Sequence, residues 1–108
     1  MIDEKEFRTR SDEALTALQR ALERAADKYD FEADRNQGAL AIEFDDPPAK
    51  FVVSPNAPVR QIWVSARVQS FKLDWNEALS AFAFTDGRTL HQLIADVVSE
   101  QLGEPVSL

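Results

Sequence analysis

The hydrophobic period of this chain changes twice, and few folds accommodate the order that results: a helix, a run of strands, a second helix. Early in the chain Phe7, Ala14, Leu15, Leu18, Leu22, Ala25 and Tyr29 fall on one stripe at helical spacing. Asp3 followed by Glu6 makes a capping-box start, and the stripe predicts a helix over residues 4–28. Beyond a turn around Gly38 the period drops to two. Leu40, Ile42 and Phe44 alternate with Ala41, Glu43 and Asp45, a strand with one dry face.

Asp45-Asp46-Pro47-Pro48 then predicts a turn, because neither proline donates to a sheet ladder. Strands are expected over 50–54, 61–67 and 70–75, with a turn at 55–58 and a weak strand at 82–84. Asp86-Gly87 leads into a last helix. Thr89 is its N-cap with Gln92 three residues on, its stripe is Leu90, Leu93, Ile94, Val97 and Val98, and Gly103 before Pro105 ends it. Strands grouped in sequence pair antiparallel, and two amphipathic helices must cover one face of their sheet. The fold class is therefore α+β, a two-layer α–β sandwich with both terminal helices on one face. A chain of 108 residues suffices for one core, so a single domain over 1–108 is expected.

The other sheet face is left open, and the strand over 61–67 says what lies on it. Ile62, Val64 and Ala66 form its aliphatic row, so Gln61, Trp63, Ser65 and Arg67 face water. The opposite register buries Gln61, Ser65 and Arg67 together, which disfavours it. A large aromatic among polar neighbours on an open sheet is a common anchor for a partner. Arg60, Arg67 and Lys72 make a modest basic rim beside it, whereas Phe71 and Trp75 read as core.

Charge narrows the partners. The net charge is −7, and residues 1–46 hold 13 acids against 7 bases while the rest holds 6 against 5. Nucleic acid demands a basic footprint and is excluded on that ground. A basic protein surface or a hard cation fits, and so does acidity that serves solubility alone. There is no cysteine, hence no disulfide, thiolate nucleophile or sulfur ligand. No apolar stretch approaches the ~20 residues that span a bilayer, and the N-terminus has no signal character. A cytoplasmic monomer is the simplest expectation. His91 is the one histidine, flanked by Leu90 and Leu93 near a helix start, and reads as a partly packed surface residue. No serine or cysteine motif accompanies it, so no triad is expected.

The segment Lys50-Phe51-Val52-Val53-Ser54-Pro55-Asn56-Ala57-Pro58-Val59-Arg60-Gln61-Ile62-Trp63-Val64-Ser65 resembles the central signature of the frataxin family, whose bacterial branch is CyaY. Gly38-Ala39-Leu40-Ala41-Ile42-Glu43-Phe44, Asp74-Trp75 and Asp86-Gly87-Arg88-Thr89-Leu90-His91-Gln92-Leu93 extend the likeness to nearly the whole chain, from Phe7 to Leu102. The resemblance implies an α–β sandwich and a non-enzymatic role in iron–sulfur cluster assembly. It implies as partners a cysteine desulfurase and a scaffold protein, with weak iron binding, ferrous or ferric, through an acidic ridge and no permanently bound cofactor. Gln61 and Trp63 match the family's partner-binding sheet surface, and Ser65 and Arg67 share that face. Ser54 stands where the family usually has asparagine.

On the ridge, Asp12, Glu13, Glu23 and Asp27 point away from the apolar stripe, Asp30, Glu32 and Asp34 continue the acidity, and Glu43, Asp45 and Asp46 add a second patch. Glu23 and Asp27 are a like-charge i, i+4 pair that a cation between them stabilises. Arg20 and Arg24, each three residues before one of those acids, offer a metal-free neutralisation. The ridge is thus either a salt-laced solvated face or a shallow, oxygen-only, weak metal site built from Asp12, Glu13, Glu23, Asp27, Asp30, Glu32, Asp34 and Glu43. The competing functional readings are a ferroxidase or iron-storage protein, and an interaction domain sharing only the architecture. Ferroxidase chemistry calls for closely spaced metals in a dry interior, usually with histidines, and these acids lie on exposed faces.

Overall fold

A computed structural model describes residues 2–45 and 47–108. Helix α1 spans Glu4–Ala26, opened by the Asp3 carboxylate, which accepts the Glu6 N–H at 2.7 Å. It buries Phe7, Ser11, Leu15, Leu18, Ala21, Leu22 and Ala25. The helix stops two residues short of the expected Lys28. Lys28 and Tyr29 both donate to the Ala25 carbonyl, and this turn brings Tyr29 and Phe31 back toward the core. Tyr29 therefore joins the apolar stripe from outside the helix, its hydroxyl donating to the Pro105 carbonyl at 3.2 Å.

Six strands follow: β1 (Phe31–Asn36), β2 (Ala39–Asp45), β3 (Pro48–Asn56), β4 (Gln61–Ala66), β5 (Gln69–Asn76) and β6 (Ala81–Ala83). They form one antiparallel meander in the order β1-β2-β3-β4-β5-β6. β1 is absent from the sequence reading. Its outward residues are Glu32, Asp34 and Asn36, poor strand formers, and only Phe31 on its inner side is buried. Pairing with β2 creates it, through a two-residue turn in which Gln37 and Gly38 both take positive φ, 53° and 84°.

β3 is longer than residues 50–54 and includes two prolines. Pro48 is paired only toward β2, opposite Asp45, and Pro55 only toward β4, opposite Ile62. At both ends the strand has one neighbour, so the missing N–H faces an unpaired side. Asp46, placed with the acidic patch and its turn, lies outside the described residues. β4 ends at Ala66, so Arg67 belongs to the following turn, at φ 58°. The weak strand at 82–84 is observed one residue earlier, as β6.

Helix α2 spans Leu90–Leu102 with Thr89 and Gln92 forming the full reciprocal capping box, and Gly103 closes it at φ 74°. Both helices lie on one face of the sheet, where Phe51, Ile62 and Leu73 meet Leu18, Leu22, Leu93 and Val98, all fully buried. Among the described residues, no helix is long and apolar enough to cross a membrane.

Candidate functional site

Burial of Ile62, Val64 and Ala66 leaves alternate β4 side chains on the open sheet face, and the structure adopts the register expected there. Trp63 is 37% exposed. Its indole N–H donates to Gln61 Oε1 at 3.0 Å, and Gln61 Nε2 donates to Asp74 Oδ1 at 3.2 Å. Register explains this relay, since Gln61 pairs with Asp74 across β4–β5, and Trp63 pairs with Lys72. The Lys72 ammonium lies 5.0 Å from the Trp63 ring centroid, within cation–π range. The tryptophan is thus held on three counts, by one hydrogen bond, one cation and the ladder, while much of its surface remains in water. A side chain already ordered loses little entropy when a partner covers it.

Beside Trp63 lies a groove of about 250 Å³, floored by Val52, Ser54, Ser65 and Ser70 and bounded by Lys72. Ser54 is opposite Trp63 on β3, and Ser65 is opposite Ser70 on β5. Gln61, Trp63 and Ser65 are brought together as expected. Arg67 is exposed at the hairpin tip instead of within the strand. Asp74 and Lys72 complete the site. Asp74 was not singled out as a site residue, although inward Phe71, Leu73 and Trp75 leave both side chains on the Trp63 face.

The eight acids divide. Asp12 meets Arg35 of β1 at 3.4 Å, Glu43 meets Lys50 at 3.8 Å, and Glu23 accepts from Gln19 at 3.5 Å. Glu32 stands opposite Glu43 in the β1–β2 ladder, an unfavourable like-charge pair that Lys50 offsets. Glu13 is turned to the other flank of α1, 3.7 Å from Arg10, in a cleft shared with Trp75 and His91. Asp27, Asp30 and Asp34 are exposed and, among the described residues, form no ion pair. Of the neutralisation that Arg20 and Arg24 offer, no ion pair is formed: among the described residues neither meets Glu23 or Asp27 within salt-bridge distance. Arg20 is exposed on the solvent side of α1, and Arg24 is turned toward α2. Arg24 acts instead on His91. That imidazole is pushed below its ordinary pKa by burial and by the Arg24 charge, against the opposing pull of the Ala17 carbonyl. Among the described residues, no group of three acidic, histidine or cysteine side chains converges to hold a metal ion.

Comparison with known proteins gives a consistent result. The family described as "Frataxin-like domain" matches residues 1–104. An iron–sulfur cluster assembly protein CyaY from Dechloromonas aromatica (strain RCB) is 33% identical over 107 residues, covering 99% of this chain and 99% of that protein. Another CyaY, from Janthinobacterium sp. (strain Marseille), is 31% identical over 109 residues, covering 97% of this chain and 95% of its own. Among solved structures, a frataxin from Psychromonas ingrahamii superposes with a TM-score of 0.84 at 19% identity, covering 98% of this chain and 97% of that one. At that identity the structural likeness establishes the fold.

Proposed function

The chain belongs to the frataxin/CyaY family, whose members are non-enzymatic iron–sulfur assembly proteins, and from that premise we propose that it regulates cluster assembly as a docking adaptor. Its partner is the cysteine desulfurase–scaffold complex, met by the open sheet face at Gln61, Trp63, Ser65 and Arg67. One observation carries the reading. Trp63 is partly exposed yet fixed by the Gln61–Asp74 relay, the form of a preorganised anchor.

The acids of α1, β1 and β2 supply a second, electrostatic contact with a basic surface. Iron is cargo in this reading. Asp27, Asp30, Glu32 and Asp34 offer it oxygen ligands without a formed cage, whereas Asp12, Glu13 and Glu43 must first leave their cations. Binding is therefore weak and exchangeable.

The test is a pull-down from the source organism's lysate, comparing wild type with Trp63→Ala by mass spectrometry. Recovery of the desulfurase or scaffold by wild type alone supports the pathway and the docking face. Recovery of other proteins but of neither of these by wild type reduces the likeness to one of architecture.

A further inference from the structure

We propose that the hairpin tip Arg67-Val68 is a second anchor of the sheet-face interface, received by a partner surface with an apolar pocket and an acidic rim; the inference rests on the docking reading above. The tip is a two-residue turn closed by the Ala66–Gln69 pair. Turns of this size favour asparagine, aspartate and glycine, which adopt the required backbone at little cost. This chain places an arginine there at φ 58°, followed by a β-branched valine. Val68 is fully exposed and contributes nothing to the core. Of the two, Arg67 alone takes the positive φ that its side chain disfavours, and Val68 is a fully exposed apolar side chain without a packing role; a choice that gives the hairpin nothing points to a use outside it.

Position supplies the use. Among the described residues the exposed large hydrophobic side chains are Val59, Trp63, Val68 and Leu79, so three of the four lie on β4 or flank it. Val68 sits roughly 13 Å along the strand direction from Trp63, four ladder steps at about 3.3 Å each. Between the two lies the groove floored by Val52, Ser54, Ser65 and Ser70, whose small side chains leave room for a partner's. Charge selects the partner's chemistry. Arg67 and Lys72 form no ion pair among the described residues, while Asp74, the acid of β5 on this face, lies at the far end of the strand pair opposite Gln61. In a chain of net charge −7, the outer part of the β4–β5 hairpin presents these two cations beside apolar contacts, with the acids of this end of the sheet on β1 and β2. A surface offering carboxylates around an apolar pocket complements it.

Purified desulfurase–scaffold complex is titrated with wild type, Trp63→Ala, Val68→Asn and Arg67→Glu, with thermal melting of each variant alongside. Val68→Asn is expected to weaken binding at least about 5-fold, the scale of an anchor contact, with a Tm equal to or above wild type. Arg67→Glu is expected to weaken it similarly, with a smaller salt dependence. Loss of binding by Trp63→Ala with Val68→Asn unchanged overturns the second anchor and leaves the docking reading standing. A Val68→Asn variant that loses both affinity and Tm also overturns it, because the residue then serves the hairpin. Unchanged binding by both Trp63→Ala and Val68→Asn removes the sheet face as the interface, and the tip with it. Failure of wild type to bind sinks the docking reading and this inference together.

Discussion

At the scale of single residues, the site depends on how an exposed aromatic is kept in place. Gln61 bridges Trp63 to Asp74, so Gln61→Leu should leave the fold intact and free the indole. We expect Gln61→Leu to reduce desulfurase–scaffold affinity by several-fold, less than Trp63→Ala, with Tm within a few degrees of wild type; isothermal titration and melting curves check both. Trp63 was legible from alternation, since burying it means burying three polar neighbours. The relay was not, because it needs the β4–β5 register that sets Gln61 opposite Asp74. His91 makes a separate prediction. Burial lowers its folded-state pKa from the ordinary 6.5, so the unfolded chain takes the proton first. Stability is therefore full above the unfolded value and declines as pH falls through it toward the folded one. Urea midpoints at pH 7.5 and 5.5 should separate more for wild type than for His91→Gln.

At the scale of elements, α1, α2 and the strands over 40–75 follow from period and capping. The α2 cap was readable from Thr89 and Gln92 alone, and it forms with both hydrogen bonds. Thr89→Ala should cost about 0.5–2 kcal/mol, the usual loss for an N-cap hydroxyl, measured by urea denaturation. β1 was not readable, because its acidic outer row and single large inner residue carry no strand signal. Its existence depends on the Gln37-Gly38 turn, where Gly38 at φ 84° has open space around it but a backbone that other residues rarely adopt. Gly38→Val should weaken the β1–β2 hairpin, seen as faster amide exchange confined to β1 and β2, and would leave Trp63 undisturbed. The strand prolines mark a second limit: Pro48 and Pro55 looked like terminators, yet each is tolerated where β3 has one neighbour.

At the scale of the molecule, one apolar layer between helices and sheet holds every element in place. Phe51 is fully buried at its centre, its ring centroid 4.8 Å from that of Phe44, and Phe51→Ala should cost about 3–5 kcal/mol, read as a lowered denaturant midpoint. Charge is unevenly placed at the same scale, with Glu32, Asp34, Glu43 and Asp45 on β1 and β2 and the cations Arg67 and Lys72, unpaired among the described residues, on the β4–β5 hairpin. The amino-acid order by itself determined the two helices, the antiparallel sheet between them, the face that stays open and the residues on it, because burial must follow a period of 3.6 or 2. Tertiary structure alone decided which acids keep company. Glu13 and Arg24 turn to one side of α1 while Asp12 reaches Arg35 on the other, and β1 exists only by pairing with β2. Charged side chains on a solvated surface carry no periodic signal of their own. Their neighbours are set by which flank of a helix and which strand the packed core brings alongside.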